Sequence, residues 1–102
     1  MYKVVGLLKR PEGMQMEDFR RWWLEVHAPK VMKWKGVKRY CVNLCTTDDQ
    51  RYDGMAETWF ETKQDMDNAF VPAEGQAARQ GATDGSREIV ILFTQENVMI
   101  DG

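Results

Sequence analysis

The sequence predicts an α+β domain in which four antiparallel strands form one sheet and two helices cover one of its faces. Four separate stretches carry strand-like apolar patterns, the second and third of them resolving into distinct faces at period two. Two intervening stretches switch to helical spacing, and the connections are short. The chain has 102 residues, so these elements share one domain, residues 1–102. Hydrophobic residues make up 43% and charged residues 29%, the composition of a globular chain rather than a disordered one. A domain of this size buries roughly 65% of its unfolded surface and can hold a core without metal or disulfides. A pocket is therefore expected as a cleft between layers, or as one completed by a second copy.

Tyr2 to Lys9 (YKVVGLLK) reads as the first strand, with Val4 and Leu8 on one side and Val5 and Leu7 on the other. Apolar residues on both sides point to a strand covered on both faces. Arg10, Pro11, Glu12 and Gly13 end it. From Met16 to Trp34 the period is helical, and Phe19, Trp22, Trp23, Val26 and Lys30 form one stripe closed by the lysine stem. Glu17, Arg20, Arg21 and Glu25 take the other side. Pro29 removes a backbone donor and frees the Glu25 carbonyl, so a kink or break is expected there. Gly36 ends the helix.

Val37 to Cys45 (VKRYCVNLC) is the second strand, with Tyr40, Val42 and Leu44 on one face and Arg39, Cys41, Asn43 and Cys45 on the other. A polar loop over 46–51 leads to the third strand, Tyr52 to Phe60. That strand sets Met55, Glu57 and Trp59 against the small residues Gly54 and Ala56. Thr62 with Asp65 three residues later marks a helix start, and the second helix carries Met66, Ala69 and Phe70 inward. Val71-Pro72 breaks it, 73–80 is expected as a short further helix, and a loop from Gly81 to Gly85 precedes the last strand, Arg87 to about Val98. This βαββαβ order is the ferredoxin-like arrangement. Two helices cover one side of such a sheet, while its strands are apolar on both. A second copy packed sheet to sheet, closing a barrel across a twofold axis, is the expected cover.

Fourteen Lys and Arg stand against sixteen Asp and Glu, a net charge of −2. The one basic stretch, Lys30, Lys33, Lys35, Lys38 and Arg39, is broken by apolar residues and reads as solvated surface, so nucleic acid is not an expected partner. No Lys/Arg-led signal segment is seen, and the longest aliphatic or aromatic run, Ile89 to Phe93, falls far short of the ~20 residues of a membrane span. The expectation is a cytoplasmic protein that does not engage membranes. Cys41 and Cys45, four apart in a strand, would have Cα atoms ~13 Å apart, too far for a disulfide. Both are expected as small, buried, reduced side chains. One histidine and no CxxC leave no expected metal site. GxSxG, HExxH, phosphate-cradling and dinucleotide-binding glycine motifs are absent. Any activity is expected to run on acid/base chemistry, or on a cofactor or oxygen that enters with the substrate.

The segments VVGLLKRPEGM, EDFRRWWLEVHAP and YDGMAETWF, with PAEGQAA near the second helix, resemble the EthD family of the dimeric α/β-barrel superfamily. His27-Ala28-Pro29 after Trp22-Trp23 is the most specific part. Members of this group resemble 4-methylmuconolactone methylisomerase, and cousins include aromatic polyketide cyclases and cofactor-free monooxygenases. The resemblance implies a homodimer with a small aromatic or lactone substrate held between sheet and helices, and no cofactor. Two positions depart from the family pattern. Gln15 stands where a Ser usually opens the helix, and the stretch Gly81 to Gly85 looks shorter and less aromatic than its counterpart.

His27 is the one histidine and the side chain whose ordinary pKa lies nearest neutrality. Helical spacing puts it at the edge of the apolar face. There it either bonds a carbonyl freed by Pro29 or works in a pocket. The resemblance implies the second, as catalytic acid/base, with Tyr40 as catalytic donor to an enolate or phenolate oxygen. Glu57, in an apolar stretch, is a candidate to orient His27 or act as a second base; the alternatives are a pair with Arg39 or a place in a dimer interface. Trp23, Trp59 and Asn43, with Glu57, are the expected substrate-binding set; Trp22 could add lining, and Asp53 is a weaker candidate. The expected function is cofactor-independent proton transfer on an aromatic-derived lactone or polyketide-like substrate, as an isomerase, cyclase or lyase. A cofactor-free monooxygenase and a non-catalytic dimer that binds a hydrophobic metabolite are the alternatives.

Overall fold

The first strand, β1 (Tyr2–Lys9), lies between β3 (Gly54–Phe60) and β4 (Glu88–Gln95), and β2 (Val37–Leu44) pairs with the far side of β3. All neighbours are antiparallel, in the order β2-β3-β1-β4 of the ferredoxin-like fold. The computed structural model describes residues 1–69 and 88–102. The expected inward Phe70, the break at Val71-Pro72, the short helix over 73–80, the loop from Gly81 to Gly85 and the strand start at Arg87 lie outside the described residues. On one face of the sheet lie α1 (Met16–Trp22), a π-helical turn (Trp23–His27), α2 (Ala28–Val31) and α3 (Lys63–Asn68).

Period-two alternation decides which side chains meet the helices. Val4, Gly6 and Leu8 of β1 are buried, while Val5 and Leu7 are half-buried on the reverse. The core divides in two. Val4, Val31, Trp34, Phe60, Met66 and Ala69 form one cluster, against which Tyr40 packs. Leu8, Phe19 and Trp23 form the other, with Val42 and Ala56 against it. A register shift between Val37 and Arg39 turns Val37 to the same side as Tyr40.

The helix caps follow local chemistry. The Thr62 hydroxyl accepts from the Asp65 backbone N–H at 3.0 Å and starts α3. Gln15 stands at the N-cap of α1 without any side-chain cap bond. Gly36, at φ +86°, makes the left-handed turn into β2 that a Cβ would oppose.

Four expectations are corrected. The break expected at Pro29 is present as the π turn ahead of it, but the helix stops at Val31, short of Trp34 and Gly36. The extra residue in that turn shifts the helical phase, so Val26 is half exposed, while His27, Ala28, Val31 and Trp34 turn inward and Lys30 stays half-buried. Strand β3 starts at Gly54 and β4 stops at Gln95, both shorter than their apolar patterns. Cys41 and Cys45 are half-buried rather than buried, both are free thiols, and Cys45 Sγ donates to the Tyr52 carbonyl at 3.2 Å.

Candidate active site

The site begins with a missing proton. Pro29 has no backbone N–H, and the preceding Ala28 N–H reaches back five residues to the Trp23 carbonyl. On an α-helix, residues five apart diverge by about 140° around the axis. In a turn closed by i→i+5 bonds they come one above the other. The rings of Trp22 and His27 therefore stack, centroids 5.3 Å apart and 8° from parallel.

His27 is 5% exposed. Burial, and next the positive charge of Lys30, lower its pKa from 6.5 to about 4. The imidazole is neutral near pH 7. Its Nδ1 is buried and makes no hydrogen bond among the described residues, so no carbonyl freed by Pro29 claims it. A neutral imidazole can accept a proton, and burial makes the resulting cation costly unless an anion forms beside it. Abstraction from carbon α to a carbonyl creates that anion in the same step.

Tyr40 projects from β2 toward the helices. Burial raises its pKa, and the nearby Trp23 indole N–H acts in the opposite direction. Neither the Tyr40 hydroxyl nor Trp23 Nε1 completes a hydrogen bond among the described residues, although both atoms are buried. An unpaired buried donor or acceptor costs about 1–3 kcal/mol, and His27 Nδ1 is a third such atom on this side of the sheet. Trp23 is held by shape: a Cβ at Gly54 would overlap Trp23 Cζ3 and come within 3.0 Å of the Asn43 carbonyl oxygen.

The remaining candidates stand on the reverse face of the sheet. Glu57 takes Lys3 Nζ at 3.0 Å and Asn43 Nδ2 at 3.0 Å, so it pairs with neither His27 nor Arg39. Trp59 is covered by Lys3 and Arg39, whose charged groups lie 5.0 and 4.7 Å from its ring, and its Nε1 donates to Glu96 Oε2 at 2.7 Å. The hydrogen bond from Lys3 to Glu57, opposed by burial, raises the Lys3 pKa; the Trp59 N–H, with Lys3, lowers that of Glu96. The sheet thus parts the expected set into His27, Tyr40 and Trp23 on one face and Glu57, Trp59 and Asn43 on the other.

Asp53 plays a structural part at one end of the sheet. It is fully buried; its Oδ2 accepts from the Arg10 backbone N–H at 2.8 Å, with Lys9 Nζ 3.7 Å away. A neighbouring concavity of about 300 Å³ is lined by Lys9 to Gln15 and includes none of the candidate residues. Among the described residues no three His, Cys, Asp or Glu side chains gather as a metal site, and no helix is long and apolar enough to cross a membrane. Sequence reasoning passed over two features of the helix-side layer: Trp22 as the stacking partner of His27, and Gly6 beneath it. The Trp22–His27 spacing of five was visible, but it signals a contact only once a π turn is known.

Comparison with known proteins agrees with this architecture. Residues 11–86 match the EthD domain family. An uncharacterized 11.0 kDa protein from the thcB–thcC intergenic region of Rhodococcus erythropolis is 29% identical, over 98% of this chain and 99% of its own. An EthD family protein from Bacillus halodurans superposes with a TM-score of 0.84 at 20% identity, covering 95% of this chain and 99% of that one. A dimeric protein of ferredoxin-like fold from Bacteroides fragilis does so with a TM-score of 0.71 at 12% identity, covering 93% and 95%.

Proposed function

The chain belongs to the EthD family, and from that membership and the site we propose that it is a small enzyme of cofactor-independent proton transfer. Its substrate is an enolisable lactone or β-keto aromatic, and the reaction is of the isomerase, cyclase or lyase type. The observation that carries the reading is His27, buried, neutral and stacked on Trp22, with Nδ1 free of any partner among the described residues. His27 takes the proton α to the carbonyl and returns it elsewhere, and the Tyr40 hydroxyl donates to the oxygen that becomes negative.

The working unit is a homodimer joined through the reverse face of the sheet. Val5, Leu7, Met55, Val90 and Leu92 share that face by register, and Leu92 is 49% exposed. The Bacteroides neighbour is itself dimeric. Light scattering at micromolar concentration is expected to give the mass of two chains, and a monomer there overturns the pairing.

The catalytic reading is tested by deuterium uptake from D2O into a panel of enolisable lactones and β-keto aromatics. Wild-type protein is expected to exchange the α-proton, equally fast without oxygen, and His27→Ala to lose roughly 10²–10⁴-fold. Undiminished exchange in His27→Ala would remove the assignment. A strict requirement for oxygen would move the chain to the monooxygenases, and binding without exchange would make it an accessory protein.

A further inference from the structure

The two core clusters meet along a line where the sheet is nearly bare. Gly6 of β1 pairs with Ala56 of β3, and Ala56 with Val42 of β2. Among the described residues, a Cβ at Gly6 would meet one atom within 4 Å, Leu8 Cδ1 at 3.7 Å. Among the described residues the floor here is less crowded than at Gly54, which Trp23 blocks.

Trp23 supplies the second observation. Its benzo edge is the part lying against Gly54. Nε1 is at the opposite end of an indole from Cζ3, so the N–H points away from Gly54. Tyr40 stands close to that N–H, two residue pairs along from Ala56 and Val42 and on the same face. Trp23 is fully buried, and its N–H lies beside the Tyr40 oxygen without completing a hydrogen bond to it, while the Tyr40 hydroxyl has no acceptor among the described residues. Two neighbouring hydrogen-bond donors beside an apolar floor that is uncrowded among the described residues are the elements of a site for one oxygen on a flat ring.

We infer that the Trp23 indole N–H and the Tyr40 hydroxyl together bind a single carbonyl or phenol oxygen, with the ring that bears it lying over Gly6 and Ala56. The inference deepens the proton-transfer reading and rests on it for the direction of chemistry, though not for binding. Trp23 then serves as a specific oxygen donor and not only as apolar lining. Gly6 sets how large a ring the cleft admits.

The test uses the full chain, labelled with ¹⁵N, and the Trp23 indole resonance, identified by its absence from Trp23→Phe. Phenol is expected to move that resonance downfield, while toluene, a ring of the same size without the oxygen, leaves it in place. Tyr40→Phe should weaken phenol binding by up to about tenfold, as one lost hydrogen bond allows. Gly6→Val should abolish it while the backbone amide spectrum stays folded. A Trp23 resonance that ignores phenol into the millimolar range, or answers phenol and toluene alike, overturns the inference, as does full phenol binding by Gly6→Val. Loss of proton exchange in His27→Ala beside a silent Trp23 resonance would sink this subsite alone. A responsive resonance with no exchange on any substrate would sink the catalytic reading alone.

Discussion

The imidazole of His27 lies 5.3 Å from the indole of Trp22, centroid to centroid and within 8° of parallel, because one π-helical turn brings residues five apart into register. That contact closes one side of the histidine to water and favours its neutral form. Replacing Trp22 by Leu keeps an apolar side chain but removes the flat cover. The His27 pKa, read by imidazole NMR, is expected to rise from about 4 toward 6.5. An unmoved value would mean that Trp22 contributes nothing to its desolvation.

The same depressed pKa makes stability depend on pH in a defined window. Above pH 6.5 His27 is neutral in both the folded and unfolded chain. Between 6.5 and about 4 the unfolded chain binds a proton that the folded one does not, so stability falls as pH falls. Below about 4 both are protonated and the loss is complete, on the order of 3 kcal/mol. Urea titrations at pH 7 and pH 4 should show this difference between wild type and His27→Gln, which has no such group. Parallel losses in the two proteins would contradict it.

Gly54→Ala is expected to cost about 1–3 kcal/mol, because the new methyl meets Trp23 Cζ3 and the Asn43 carbonyl oxygen in a packed layer. Gly6→Ala, with Leu8 Cδ1 at 3.7 Å as its near neighbour among the described residues, should be close to neutral. Thermal melts of the pair measure the contrast. Equal effects would show that Trp23 moves aside freely.

Gln15 occupies the N-cap of α1 and makes no side-chain cap bond. Its amide is one methylene longer than that of Asn, a good cap. Gln15→Ser is expected to add around 0.5–1 kcal/mol by accepting from a free N–H of the first turn. An unchanged or lowered melting temperature would count against it.

The element order, and which residues of the second and third strands share a face, were legible in the sequence, because alternation is a local property of a pleated chain. Tyr40, Val42 and Leu44 could be set against Arg39, Cys41 and Asn43 without coordinates, and Thr62 announced its helix through one three-residue step. The helical phase beyond Trp23 was not legible. A period of 3.6 put Val26 inside and His27 at the rim, whereas one extra residue in the turn before Pro29 exposes Val26 and buries His27. The partition of the candidate residues was also a tertiary matter. Lys3 and Glu57 are 54 residues apart in sequence, and only the pairing of β1 with β3 makes them a bonded pair behind the sheet, away from His27. Short-range pattern thus determined which elements form and which residues of a strand share a face. Hydrogen-bond register and the fit of the helices on the sheet decided which polar atoms share a side of it, because those terms depend on contacts between residues that no local spacing brings together.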